Sequence, residues 1–162
     1  MNLNNLILEA TRKCNFTCEH CLRGDSQKKD IDIAVIDSLL DNNDINYISC
    51  VTFSGGEPSL NIGAIDYFIE KCKSNNIEIG NFYIATNGGK TSGTMEFMQL
   101  LIKLYCFCSD NEISLVQISK SDYHACQQDD EAIKKLKCLS FVNERETLDY
   151  TMLIHEGRAK QL

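Results

Sequence analysis

The sequence predicts an α/β fold built on a largely parallel sheet, and three observations carry that expectation. Short β-rich runs alternate with longer stretches whose apolar residues recur every three or four positions. A turn-rich segment follows each β-rich run, and five of the nine glycines fall in those segments. The third observation is size: 162 residues correspond to one average domain, and 43% hydrophobic with 24% charged residues is the balance of a globular core with a solvated surface. Disordered and collagen-like chains are excluded by the same figures. A domain of this length buries roughly 70% of the surface its unfolded chain exposes, so disulfide staples are not required.

The elements follow in order. The first strand is expected over Leu6 to Ala10 and leads into TRKCNFTCEHC. A polar link, Gly24 to Asp30, then enters a helix whose apolar face is Ile33, Ile36, Leu39 and Leu40. The second strand, Tyr47 to Phe53, ends in SGGEP and is followed by a helix with Ile65, Phe68, Ile69 and Cys72 on one face. Asn81 to Thr86 is the third strand, followed by TNGGK and the helical face Phe97, Met98, Leu101, Leu104 and Tyr105. Ile113 to Ser119 is the fourth, followed by SKSDYH and the face Ala132, Ile133, Leu136 and Leu139. Asp129, Asp130 and Glu131 fit the negative first turn of that helix. Tyr150 to Ile154 reads as a fifth strand, with HEGRAK after it. In a parallel sheet the segments after the strands share one rim, which is where such sheets bind ligands.

Charge and cysteine usage narrow the function classes. The formal net charge is −7 and the pI about 4.9, which opposes sequence-independent binding to phosphate backbones or anionic lipid. Neither a nucleic acid nor a membrane is expected as a partner. Nine cysteines are an odd number, and the N-terminal residues lack the pattern of a secretory leader. No run approaches the roughly 18 apolar residues of a membrane span. A cytoplasmic location is expected, where clustered cysteines read as metal ligands or catalytic thiols before disulfides.

Two segments carry chemistry. Cys14, Cys18 and Cys21 form C-x3-C-x2-C in the segment after the first strand. A closed zinc site takes four ligands and no second pair is evident here. A 4Fe-4S cluster also takes four thiolates as a rule, so three leave one iron open to a substrate or cofactor. Three buried thiols with no ligand are the third reading. The other segment is Ser54-Gly55-Gly56-Glu57-Pro58, which holds the single proline of the chain. Its adjacent glycines let backbone approach a ligand, and Glu57 offers a charge complementary to an ammonium. Cys50 and Cys72 are expected as core residues, and Cys106, Cys108, Cys126 and Cys138 as packing residues. His124 and His155 fall on the rim as polar residues or proton donors.

Taken in order, the cysteine loop, GGEP and TNG resemble the radical S-adenosylmethionine (radical SAM) superfamily. That resemblance runs over about residues 4 to 160. It implies a partial, open TIM-like (β/α) barrel of about five parallel strands, with residues 1–162 forming one radical SAM domain that is short or C-terminally truncated relative to a six-stranded barrel. It further implies a 4Fe-4S cluster on Cys14, Cys18 and Cys21, with S-adenosylmethionine chelating the fourth iron. By the same resemblance Gly55, Gly56 and Glu57 match the turn that contacts the methionine amino group, and His20 the position near adenine. Ser119, with Lys120 and Asp122 beside it, matches the contact to ribose or carboxylate. Asn87 lines the pocket, and Arg158 resembles the arginine of a GRA segment near the methionine carboxylate.

The implied activity is reductive cleavage of S-adenosylmethionine to a 5'-deoxyadenosyl radical that abstracts hydrogen from a substrate, foremost a peptide or protein. A low-potential electron donor of flavodoxin or ferredoxin type would be the redox partner. A glycyl-radical-enzyme activase and a small-molecule radical SAM enzyme share these residues. So does a non-catalytic iron-sulfur binding or regulatory module. The missing sixth unit predicts that a partner chain, a further segment or the substrate covers the open side of the sheet.

Overall fold

The structure is a computed structural model and describes residues 1–41, 44–145 and 156–161. Five strands, β1 (Asn2–Thr11), β2 (Tyr47–Gly55), β3 (Glu78–Thr86), β4 (Leu115–Ile118) and β5 (Val142–Glu144), form one sheet in the order β1-β2-β3-β4-β5. All four pairings are parallel and the sheet is not closed, so the architecture is an open part of a (β/α) barrel. The helices are α1 (Ile33–Asp41), α2 (Ile62–Ser74), α3 (Met95–Phe107), the single turn α4 (Asp122–Ala125) and α5 (Asp130–Leu136). Because each crossover advances to the next strand on the same side, right-handed connections stack the helices on one face of the sheet.

That face is the core. Leu8 and Ala10 of β1, Val51 and Phe53 of β2, Phe82 and Ile84 of β3, and Val116 and Ile118 of β4 are buried. They meet Ile36 and Leu40 of α1, Ile65, Phe68 and Ile69 of α2, and Leu101 and Leu104 of α3 in one continuous cluster. The Phe53 and Phe68 rings meet edge to face at 5.6 Å. Each such side chain contributes about 1.5–3 kcal/mol by leaving water, which outweighs the modest propensities of these short helices. Thr94 caps α3 by accepting from the Phe97 N–H, and Asp129 caps α5 by accepting from Ala132.

The opposite face is polar and half-open. Ile7, Thr52 and Tyr83 lie side by side in register, and Glu9 pairs with Ser54. Ile7 is 70% exposed, and the Tyr83 hydroxyl donates to Gln117 across β3 and β4. Closed barrels fill this face with bulky aliphatic residues; here the open sheet leaves Ile7 exposed beside Thr52 and Tyr83.

Two expectations are corrected, the segment that supplies the fifth strand in the sheet's order and the length of the fourth strand. The fifth strand of the sheet is Val142–Glu144, placed by Phe141, which stacks on Tyr105 at 4.3 Å and meets Phe82 at 6.0 Å. Three residues are too few for periodicity to register, so the anchor is a tertiary contact. The strand expected over Tyr150 to Ile154, and His155, lie outside the described residues. The fourth strand is also shorter than expected, since Asn111–Ile113 forms a 3-10 turn and leaves Ile113 exposed.

Candidate functional site

The loops after β1, β2 and β3 meet at one rim. Residues 12–24 after β1 form neither helix nor strand, and the chain holds them from outside. The Cys14 N–H donates to Ser26 Oγ at 2.8 Å, and Asn87 Nδ2 donates to Asn15 Oδ1 at 2.9 Å and to Cys14 Sγ at 3.9 Å. The Phe16 N–H also reaches Cys14 Sγ, at 3.5 Å. Gln127, between α4 and α5, accepts from the Thr17 N–H at 2.9 Å and donates to Cys18 Sγ at 4.0 Å. The turn Gly157–Gln161 closes the far side: Arg158 N–H donates to Cys21 O at 2.9 Å and its Nη1 to Cys18 O at 3.3 Å. Arg158 Nε is paired with Asp25 at 2.8 Å.

Burial pushes the Cys14 thiol up, and pushes Cys18 up to about 11 with help from the neighbouring Cys14 and Cys21 thiols. Without a metal these groups stay protonated at neutral pH, and a bound metal centre reverses that balance because it coordinates thiolates.

The turn after β2 is stitched to this loop. Gly56 N–H donates to Thr11 O at 2.8 Å and Glu57 N–H to Lys13 O at 2.9 Å. Gly55 has φ +138°, and a Cβ there would overlap Thr11 O. On Gly56 a Cβ would lie 2.6 Å from Lys13 C and 3.1 Å from Cys14 Cβ. The close backbone approach anticipated for a ligand is thus already made by residues 11–14. The Glu57 side chain is buried and accepts from Ser59 N–H at 3.1 Å, Thr86 Oγ1 at 2.8 Å and Asn87 N–H at 2.8 Å. Burial raises its pKa against those three donors. The carboxylate ties the end of β3 to the turn after β2, and all three of its donors come from the protein.

Cys14, Cys18, Cys21, Gly55, Gly56 and Arg158 all line one cavity of about 290 Å³. Glu9 and Arg23 also line it, with Arg23 Nη1 on Glu9 at 2.5 Å and Nη2 on Ser54 Oγ at 3.0 Å. Other expected site residues lie behind or beside it. Asn87 stands behind Cys14. His20 stacks on Tyr123 at 4.6 Å and meets His124 edge-on at 5.0 Å. Burial, with His20 and Arg145 nearby, pushes His124 down to about 4. Ser119 is held by its backbone, its N–H on Thr86 O and its carbonyl accepting from Gln128 Nε2 at 2.7 Å. Lys120 pairs with Glu144 at 3.5 Å, and Asp122 opens α4.

Among the described residues no three His, Cys, Asp or Glu side chains converge closely enough to hold a single metal ion. In a 4Fe-4S cluster each thiolate takes a different iron, so three thiols need to share a cavity wall and not a point. Two sulfurs with amide donors aimed at them, on one cavity, fit that group.

The family model of the radical SAM superfamily matches residues 8–118, more than half of the chain, from within β1 to the end of β4. The chain belongs to the radical SAM superfamily. Members bind a 4Fe-4S cluster and S-adenosylmethionine. Uncharacterized protein MJ0907 of Methanocaldococcus jannaschii is 33% identical over 75 residues, which is 45% of this chain and 26% of that protein. Among solved structures, native anSMEcpe with bound AdoMet and Cp18Cys peptide matches with a TM-score of 0.61 at 19% identity, over 88% of this chain and 42% of that one. Streptococcus suis SuiB bound to precursor peptide SuiA matches with a TM-score of 0.45 at 15% identity, over 72% of this chain and 24% of that one. This radical SAM chain therefore spans less than half the length of each of these relatives.

The remaining cysteines of the radical SAM chain are separate from the site. Cys72 is core, as expected, and Cys108 is buried with its pKa up to about 12. Cys50 is half-buried, and Cys106, Cys126 and Cys138 are exposed, so packing is corrected for those three. Sequence reasoning missed Ser26, Arg23 and Gln127. Gln127 carried one signal, its place in the segment after the fourth strand.

Among the described residues no helix is long and apolar enough to cross a membrane.

Proposed function

We propose that this chain is the core of a radical SAM enzyme in which Cys14, Cys18 and Cys21 hold a 4Fe-4S cluster and the adjoining cavity takes S-adenosylmethionine. The observation that carries this reading is the convergence of the three thiols with Gly55 and Gly56 on one cavity of about 290 Å³. When bound, the two cofactors supply an electron and a 5'-deoxyadenosyl radical able to abstract hydrogen.

The chain's own residues hold and orient. Gly56 and Glu57 N–H groups lock the turn after β2 to residues 11 and 13, which fixes the cavity wall beside Cys14. His20, stacked on Tyr123, offers a flat aromatic surface for adenine. Arg158 and Arg23 place two cations on the cavity wall, where a carboxylate is the natural ligand. Ser119 is assigned to the ribose side, and Asn87 to the rim, where it holds Cys14 and Asn15.

The substrate is a peptide or protein. The polar, half-open inner face of the sheet supports this, since it offers hydrogen-bonding side chains in place of a sealed apolar core, and anSMEcpe carries a peptide together with AdoMet on the same fold. A flavodoxin or ferredoxin type donor would supply electrons in the cytoplasm. Residues 1–162 act as one radical SAM domain, completed on its open side by a partner, a further segment or the substrate.

Anaerobic reconstitution with iron and sulfide should load about four irons per chain, and dithionite with S-adenosylmethionine should release 5'-deoxyadenosine. A Cys14, Cys18, Cys21 triple alanine variant that kept the full iron load and visible absorbance would overturn the cluster assignment. Full loading without 5'-deoxyadenosine would favour the non-catalytic module.

A further inference from the structure

Two side chains beyond the segment matched by the family model converge on Cys18. Gln127 spans the loop in both directions, accepting from Thr17 N–H through Oε1 and donating through Nε2 to Cys18 Sγ. Its Nε2 also donates to Tyr123 O at 3.3 Å, which fixes the amide so that its donor end faces the sulfur. From the other side Arg158 clasps the turn from Cys18 to Cys21, its backbone N–H on Cys21 O and its guanidinium on Cys18 O. The Arg158 side chain is only 21% exposed, whereas its partner Asp25 is 91% exposed. The cation therefore lies nearer the protein interior than the carboxylate that balances it. Gly157, at φ +57°, permits the contact, because a Cβ there would press on the Cys21 and Leu22 carbonyls.

We infer that Gln127 and Arg158 are positioning residues that clamp the Cys18–Cys21 turn and raise the reduction potential of the cluster held there. The inference rests on the cluster reading above. Reduction adds negative charge to a cluster and its thiolates, so an N–H donor on sulfur and a nearby cation stabilise the reduced form. Both devices come from the C-terminal part of the chain, which ties electron acceptance to the correct docking of that part on the loop.

The experiment is an anaerobic redox titration of the reconstituted protein, followed by electron paramagnetic resonance, for wild type and four variants. Gln127→Glu keeps the acceptor for Thr17 but replaces the donor with a negative charge, and should shift the midpoint furthest downward. At a fixed poise the reduced-to-oxidised ratio should fall about tenfold, equal to about 59 mV for a one-electron couple. Gln127→Leu and Arg158→Gln should lower it less, and Arg158→Lys should lie nearest wild type because it keeps the charge. A merely structural role would leave the midpoint unmoved.

A second measurement covers poor cluster loading. In the apo-protein, folded by circular dichroism, alkylation of Cys18 should be several-fold faster in Gln127→Leu and Arg158→Gln than in wild type, with Cys108 unchanged. Loaded variants with the wild-type midpoint, or apo variants with wild-type Cys18 reactivity, overturn the inference. A wild-type chain that takes up no more iron than the triple alanine variant overturns the cluster reading instead, and the alkylation rates still decide whether the clamp exists.

Discussion

The two loops that meet at the rim are built in opposite ways. The turn after β2 is organised around a buried group, with Glu57 accepting three hydrogen bonds from Ser59, Thr86 and Asn87 and its backbone stitched to Thr11 and Lys13. The cysteine loop after β1 has no element of its own and is held by Ser26, Asn87, Gln127 and Arg158, residues spread over more than 130 positions. One loop is a fixed wall and the other a suspended one. A centre that forms bonds to three thiols supplies the suspended loop with the internal order it lacks, whereas the wall must exist beforehand to define where that centre and its ligand sit.

The sharpest way to break this contrast is Gly56→Val. Its branched side chain would meet Lys13 C and Cys14 Cβ at backbone distances that no rotamer relieves. The wall and the loop should separate, with loss of most of the iron after reconstitution and a destabilisation of about 3 kcal/mol or more. Near-normal iron content and an unchanged Tm would show that the wall is not fixed.

Glu57→Gln tests the hub with a smaller perturbation. Both carboxylate oxygens accept from backbone N–H groups, so an amide must turn its donor toward one of them, at a cost of about 1–3 kcal/mol. Chemical denaturation at neutral pH measures it. The pH profile adds a sign. Because burial raises the folded pKa of Glu57 above 4.5, its contribution is complete below that value and is lost as pH rises through the folded pKa. The variant should lack that loss. His124 acts oppositely: held down at about 4 from 6.5, it costs stability as pH falls through that window. His124→Phe should flatten the acid limb, and an unaltered limb would reject this assignment.

The smallest effect is expected for Ser26→Ala, which removes one exposed tether from the suspended loop, the bond from the Cys14 N–H. About 0.5–1.5 kcal/mol is at stake. Once the cluster is bound, it should hold the loop and mask this loss. Equal Tm shifts in the apo and loaded proteins would contradict the idea that the loop takes its order from what it binds.

Much of this was determined by local sequence. The period of the apolar residues specified four of the strands and all the long helices, because one-sided burial imposes a spacing on each element. The order of C-x3-C-x2-C, GGEP and TNG after successive strands placed the site at the rim, because a parallel sheet puts such segments side by side. Tertiary structure decided the rest. The burial of Glu57 was not legible because a carboxylate in a glycine turn carries no mark of it, and only the approach of Thr86 and Asn87 at the end of β3 supplies its donors. The fifth strand at Val142–Glu144 was hidden since three residues hold no period and its anchor, Phe141, is fixed by Tyr105 and Phe82. Gln127 and Arg158 were placed on the cysteine loop by chain folding over more than a hundred residues. No short-range pattern encodes such contacts, because a hydrogen bond between distant residues depends on where the sheet brings them and leaves no spacing in the sequence.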